Sequence, residues 1–109
     1  MSLTIDPPTL QISAGGGVAT HNLINDGDKR LAFKIKSTNN AHYRLKPVYG
    51  FVPPNSSTPI QVTRLIGPPK EDKLVVQYVE VPEEVTDAAA FMKENKPSGE
   101  AELPICAIE

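Results

Sequence analysis

The chain carries one cysteine and no tryptophan, and its longest apolar runs are only a few residues. A single thiol, Cys106, excludes an internal disulfide and fits a reducing compartment. A membrane span needs roughly 20 consecutive apolar residues, so insertion in a membrane is not expected. Charge of one sign is also lacking. Eleven basic and 13 acidic residues leave a net charge of −2, which makes no electrostatic case for nucleic acid. The start of the chain has no basic segment followed by an apolar run, so no secretory signal is expected and the location is read as cytoplasmic. Metal ligands are scarce. His21, His42 and Cys106 show no convergent spacing, and neither a metal nor a cofactor is expected. Gly15-Gly16-Gly17 lacks the helix start and Lys-Ser/Thr ending of a phosphate loop.

What is present is alternation and turn chemistry. Leu31, Phe33 and Ile35 alternate with Lys34 and Lys36, so one face of a strand suits a core and the other suits water. Eleven prolines in 109 residues favour strands and turns over helices. Leu3 to Ile5 and Leu10 to Ile12 read as one strand kinked or switched between sheets at Pro7-Pro8. Val18–Ile24, Arg30–Ser37, Tyr43–Pro47, Thr58–Ile66, Lys73–Val81 and Glu100–Ile108 follow as strands. Asn25-Asp26-Gly27-Asp28 is a turn, because Asn, Asp and Gly tolerate positive φ. Gly50 to Ser57 reads as a second turn region. In the Lys73–Val81 strand, Leu74, Val76 and Tyr78 form the expected buried set, with Val75, Gln77 and Val79 opposite.

One short helix is expected before the last strand. Thr86 serves as its cap, Asp87 favours its positive end, Ala88 to Ala90 have high propensity, and Lys93 suits its last turn. About seven strands, spaced some 8 to 12 residues apart, give an all-β, immunoglobulin-like seven-stranded β-sandwich. The length suits a single domain over residues 1–109. Without a Cys-Trp-Cys arrangement, an antibody-type domain is excluded.

Particular residues go beyond pattern. Arg30-Leu-Ala-Phe-Lys-Ile-Lys-Ser-Thr38, then Tyr43-Arg-Leu-Lys-Pro47, Gly50, Pro53, Ser57 and Ile60-x-Val62 closely resemble the major sperm protein (MSP) domain family. The likeness extends upstream through Leu23-Ile-Asn25 and downstream through Asp72-Lys-Leu-Val-Val-Gln77 to Cys106-Ala-Ile-Glu109. It implies the PapD-like form of the sandwich without enzymatic activity. The compact form resembles small nematode sperm-specific members more than the tethered relatives that carry a coiled coil and a membrane anchor. The founding member self-associates into dimers and filaments that drive amoeboid sperm movement. The resemblance therefore implies protein partners, a homodimer or filament, and the cytoskeleton or pseudopod of sperm. The tethered relatives bind short acidic peptide motifs on a basic face.

Lys34 and Lys36 share the outward side of one strand, and the resemblance sets that strand beside the one bearing Lys73, Val75 and Gln77. Such a face could attract an acidic peptide through steering and charge-assisted hydrogen bonds. Positions matching the peptide-binding relatives are Lys36, Thr38, Lys73 and Val75. Departures are Val75 in place of methionine, Leu103 in place of a lysine, and Val48-Tyr49 in place of an Asn-Ser type pair. For self-association, Val75 and Val79 supply outward apolar surface, joined by Ile105 or Cys106 if either faces outward. Cys106 reads as a small buried hydrophobe. Glu83, Glu84, Asp87 and Glu94 serve the helix dipole and solubility. The Pro pairs suggest a cis bond at Pro8 or Pro54, as family proteins carry such bonds at proline kinks.

Overall fold

Leu31, Phe33 and Ile35 turn inward from one strand while Lys34 and Lys36 turn out, and the computed structural model builds two packed sheets on that rule. It describes residues 3–109. The elements are β1 (Leu3–Asp6), β2 (Leu10–Ser13), β3 (Gly17–Asn25), β4 (Leu31–Ser37), β5 (Tyr43–Lys46), β6 (Tyr49–Val52), β7 (Ser56–Arg64), β8 (Lys70–Glu80), α1 (Ala88–Glu94) and β9 (Gly99–Ile108). One sheet has the order β1-β3-β7-β5 and the other β2-β9-β8-β4-β6. Every pair is antiparallel except β2 with β9.

The nine segments amount to seven strands, because two strands are divided between the sheets. β1 pairs with β3, and after Pro7-Pro8 the chain continues as β2 beside β9. Likewise β5 pairs with β7, and after Pro47 the chain continues as β6 beside β4. Proline contributes no N–H to a ladder, so it sits where the chain leaves one sheet for the other. The cis bonds are Asp6–Pro7 and Lys46–Pro47, which corrects the expectation at Pro8 or Pro54.

β6 corrects the reading of Gly50 onward as a turn. Gly50 pairs with Phe33, whose fully buried ring lies so close that a Cβ on Gly50 would stand 2.8 Å from Phe33 Cζ. Glycine lets the backbone cover an aromatic ring at the centre of the core. The turn proper is shorter, and Asn55 takes its positive φ.

Between the sheets, Leu23, Ile60 and Val62 meet Leu31, Phe33, Val52, Leu74, Val76 and Leu103, all at 0 or 1% exposure. Full burial of each large apolar side chain stabilises the fold by about 1.5–3 kcal/mol. Tyr78, expected in the buried set, is half-buried, with its hydroxyl beside Gly99. Polar residues tie the ends of the sandwich. Asn25 Nδ2 donates to the Lys29, Val52 and Pro53 carbonyls at 2.7, 3.2 and 3.2 Å, and its Oδ1 accepts from the Gly27 N–H at 3.0 Å. Asn25 is thus a buried clamp between two loops, where only a tolerant turn residue was expected. His21 Nδ1 lies 2.8 Å from the Pro7 carbonyl beside the first sheet switch.

A second apolar cluster lies outside the five-stranded sheet. α1 packs on β4 and β6, and Met92 and Phe91 cover Ala32, Tyr49, Phe51, Val79 and Val81. The helix cap is Asp87, whose side chain accepts from the Ala90 N–H at 3.1 Å, and not Thr86. Two stability effects follow. Asp87→Ala should lower stability by about 1 kcal/mol through the lost cap. Gly50→Ala should lower it by about 1–3 kcal/mol, because the enclosed Phe33 ring cannot yield without repacking. Urea unfolding of each variant checks both, and an unchanged midpoint for Gly50→Ala would contradict the packing account.

Candidate protein-interaction face

Two sheets have two outer faces, and the helix decides how much of one stays open. α1 seats over the Ala32 and Val79 end of the five-stranded sheet. Val79 is therefore packed under the helix, which corrects its expected place in an exposed strip. Arg30 fastens the segment that leads to the helix. Its Nη2 donates to the Pro82 carbonyl and, at 2.7 Å, to the Val85 carbonyl, and its guanidinium lies 4.2 Å from the Phe51 ring centroid.

Beyond the helix, β4, β8 and β9 present an open surface three strands wide. Register sets its contents. Lys36 pairs with Val75, which pairs with Glu102. Two residues along, Lys34 pairs with Gln77, which pairs with Glu100. Each rung thus reads basic, neutral, acidic across the three strands. Lys73 follows beside Pro104. Its Nζ reaches Glu102 Oε2 at 3.2 Å, and Gln77 Nε2 donates to Glu100 Oε2 at 2.8 Å. Lys73 and Glu102 are about half exposed, so that pair contributes only about 0.2–1 kcal/mol. The Lys34 ammonium stands 5.6 Å from the Tyr49 ring centroid. Lys36 is exposed and forms no ion pair among the described residues.

The structure brings Lys34, Lys36, Lys73, Val75 and Gln77 onto one surface, as expected. Thr38 adjoins them with a committed hydroxyl. Its Oγ1 donates to Asp72 Oδ1 at 2.9 Å and accepts from the Lys73 N–H at 3.0 Å. Asp72, its side chain only 2% exposed, also accepts from Asn39 Nδ2 at 3.1 Å and faces Lys70 Nζ at 3.8 Å. Leu103 is fully buried in the core, and the adjacent outward position is Glu102. The surface has mixed charge, where the sequence reading made it basic. Sequence reasoning missed Glu100 and Glu102. Their alternation with Ala101 and Leu103 was the available signal, and it carried no hint of which strands would flank them.

A groove of about 680 Å³ opens beside this surface, lined among others by Thr9, Gln11, Thr38, Lys70, Lys73 and Cys106. Cys106 is half-exposed here, which corrects its reading as buried, while Ile105 faces the core. Outward residues alternate with inward ones along β9, so the neighbouring position of Ile105 must open to solvent. His21 is buried, and His42 is half-buried against Gly67 and Asn39, so neither histidine lines the groove. No group of three or more metal-ligating side chains converges among the described residues. No helix among them is long and apolar enough to cross a membrane. Two exposed apolar side chains were not foreseen: Val18 and Ile66 are 60 and 79% exposed.

Comparison with known proteins agrees with the geometry. The chain is 50% identical over 105 residues to sperm-specific class P protein 34 of Caenorhabditis elegans, covering 96% of this chain and 98% of the relative. It is 49% identical over 107 residues to sperm-specific class P protein 16 of the same organism, covering 98% of each. The solved structure of SSP-19, an MSP-domain protein like family member in Caenorhabditis elegans, superposes with a TM-score of 0.95 at 45% identity, over 98% of this chain and 100% of that one. The E. coli chaperone DraB shares the fold alone, with a TM-score of 0.73 at 14% identity, over 97% of this chain and 54% of that one. The family model described as the MSP (major sperm protein) domain matches residues 2–101, and the chain belongs to that family.

Proposed function

We propose that this MSP domain is a non-enzymatic protein-interaction module, with residues 1–109 acting as one domain in the cytoplasm of sperm. It works by surface complementarity and associates with proteins that include copies of itself. The observation that carries this reading is the open area on β4, β8 and β9. There a rigid sheet presents ordered charges and the half-buried Val75 to solvent. Apolar strand atoms supply contact area in such an interface, and the charges set orientation and rate. The sperm-specific relatives support the cellular assignment. Light scattering over a concentration series tests association. A mass that rises above 11.8 kDa with concentration supports the reading, and a mass that stays there throughout removes self-association. Growth that stops at twice that mass indicates a closed two-fold pair, whereas continued growth indicates head-to-tail filaments.

A second reading has its own observation. The groove beside Thr38 carries Lys70 and Lys73, and Lys36 stands on the adjoining face, so an acidic peptide motif has cationic contacts available. Glu102 opposes it, since a carboxylate ligand must compete with Glu102 for the Lys73 ammonium. Charge reversal at both Lys36 and Lys73 should weaken an acidic-peptide complex at least tenfold while the protein stays folded, its stability lowered by about 1 kcal/mol through the lost Lys73–Glu102 pair. Equal affinity of the reversed and native proteins in a calorimetric titration would remove this reading.

A further inference from the structure

The three strands of the open face carry three kinds of side chain. Basic residues stand on β4 (Lys34, Lys36), neutral ones on β8 (Gln77, Val75), and acidic ones on β9 (Glu100, Glu102). Lys73 is the exception, a cation on β8 that pairs with Glu102. One ammonium against two carboxylates still leaves the β9 side acidic. Adjacent strands lie about 4.8 Å apart, which separates the basic and acidic columns by about 10 Å.

We infer that this face binds a peptide of mixed charge, an extended segment of another protein that lays an acidic residue on Lys36 and, three residues away, a basic residue on Glu100 and Glu102. The inference rests on the peptide-binding reading and narrows its ligand. It gives Glu100 and Glu102 the task of selecting the basic residue, where a purely acidic motif meets Glu102 only as a competitor.

Spacing favours the extended form. In a polyproline II segment, residues three apart share a face and stand about 9 Å from each other, close to the separation of the columns. Same-side residues of a β-strand stand about 7 or 13 Å apart and miss it. A segment so placed crosses the strands along the Lys36–Val75–Glu102 rung, with its middle residues over the half-buried Val75. Both ends of that rung are open to a ligand. Lys36 is exposed and has no ion-pair partner among the described residues. Glu102 is about half exposed and meets Lys73 through Oε2, so its Oε1 can accept a second ammonium. The neighbouring rung is more committed, since Gln77 donates to Glu100 and the Lys34 ammonium stands by the Tyr49 ring.

Charge favours the mixed composition. A uniformly acidic segment gains at Lys36 and is repelled at Glu100 and Glu102, and a uniformly basic one meets the reverse. Like-charge juxtaposition opposes docking, so the face discriminates against both.

The test is fluorescence anisotropy with three synthetic peptides, alike except for a central Glu-Pro-Val-Lys, Glu-Pro-Val-Glu or Lys-Pro-Val-Lys. The native chain should bind the mixed peptide about tenfold tighter than either of the others, and added salt should weaken that complex. Glu100→Lys combined with Glu102→Lys makes the face basic and should move the preference to Glu-Pro-Val-Glu. Lys36→Glu should weaken the mixed peptide about tenfold and move the preference toward Lys-Pro-Val-Lys. The exchanged side chains are exposed, and urea unfolding checks that each variant is folded. A native chain that binds Glu-Pro-Val-Glu as tightly as the mixed peptide, or a preference that survives the Glu100 and Glu102 exchanges, overturns the inference and leaves the acidic-motif reading standing. Failure of all three peptides to bind overturns the inference and that reading together.

Discussion

Because β4, β8 and β9 pair in one register, the residues that close the core also decide what the exterior presents. Phe33, Tyr78 and Gly99 lie on one rung, and the next rung along carries Lys34, Gln77 and Glu100 outward. A slip of one residue in β4 would bury its lysines and expose Phe33, at a cost the whole core opposes. The order of charges across the outer face is therefore as firmly held as the core. It needs few side-chain bonds of its own, which is consistent with the weakness of the exposed Lys73–Glu102 pair.

The ends of the sandwich depend on buried polar groups, as expected where loops must satisfy their backbone in the absence of water. Asn25 bonds across two loops. Arg64 is 2% exposed, lies 5.1 Å from the Tyr43 ring centroid, and donates through Nη2 to the Pro68 carbonyl at 2.7 Å. Asp72 gathers Thr38 and Asn39 at the mouth of the groove. These contacts hold the loop ends in place, so that the face between them behaves as a stiff surface suited to association with little change of shape.

Mixed charge distinguishes this face from a simple basic patch. A column of lysines alone would draw any acidic partner by long-range steering. Here acidic and basic columns lie about 10 Å apart, roughly one screening length at 0.1 M salt, so their fields largely cancel at a distance and act only at contact. Selectivity for one partner geometry follows from that cancellation, with less attraction for partners of a single charge sign. The helix adds a boundary. By covering Ala32 and Val79 it removes the apolar end of the face from contact and leaves the charged rungs exposed.

Much of this was legible in the residues. Strict alternation from Leu31 to Lys36 gave the inner and outer faces of β4, the Pro7-Pro8 pair marked a sheet switch, and the family likeness placed Lys73 beside Lys36. Other features were not legible, because they depend on what lies across space. Gly50 looked like a turn until Phe33 was seen beneath it. Arg64 continues the inward alternation of Ile60 and Val62, and only the structure shows the Tyr43 ring and the Pro68 carbonyl that it meets there. Cys106 and Ile105 are adjacent and both apolar, and the pairing of β9 with β8 settled which one faces out. By itself the sequence settled most of the strands, the two faces of β4 and the family, since period-two alternation and turn chemistry are local properties. Only the tertiary structure decided that Glu100 and Glu102 stand on the same rungs as Lys34 and Lys36, because register between strands distant in the chain is set by the packing of the whole core.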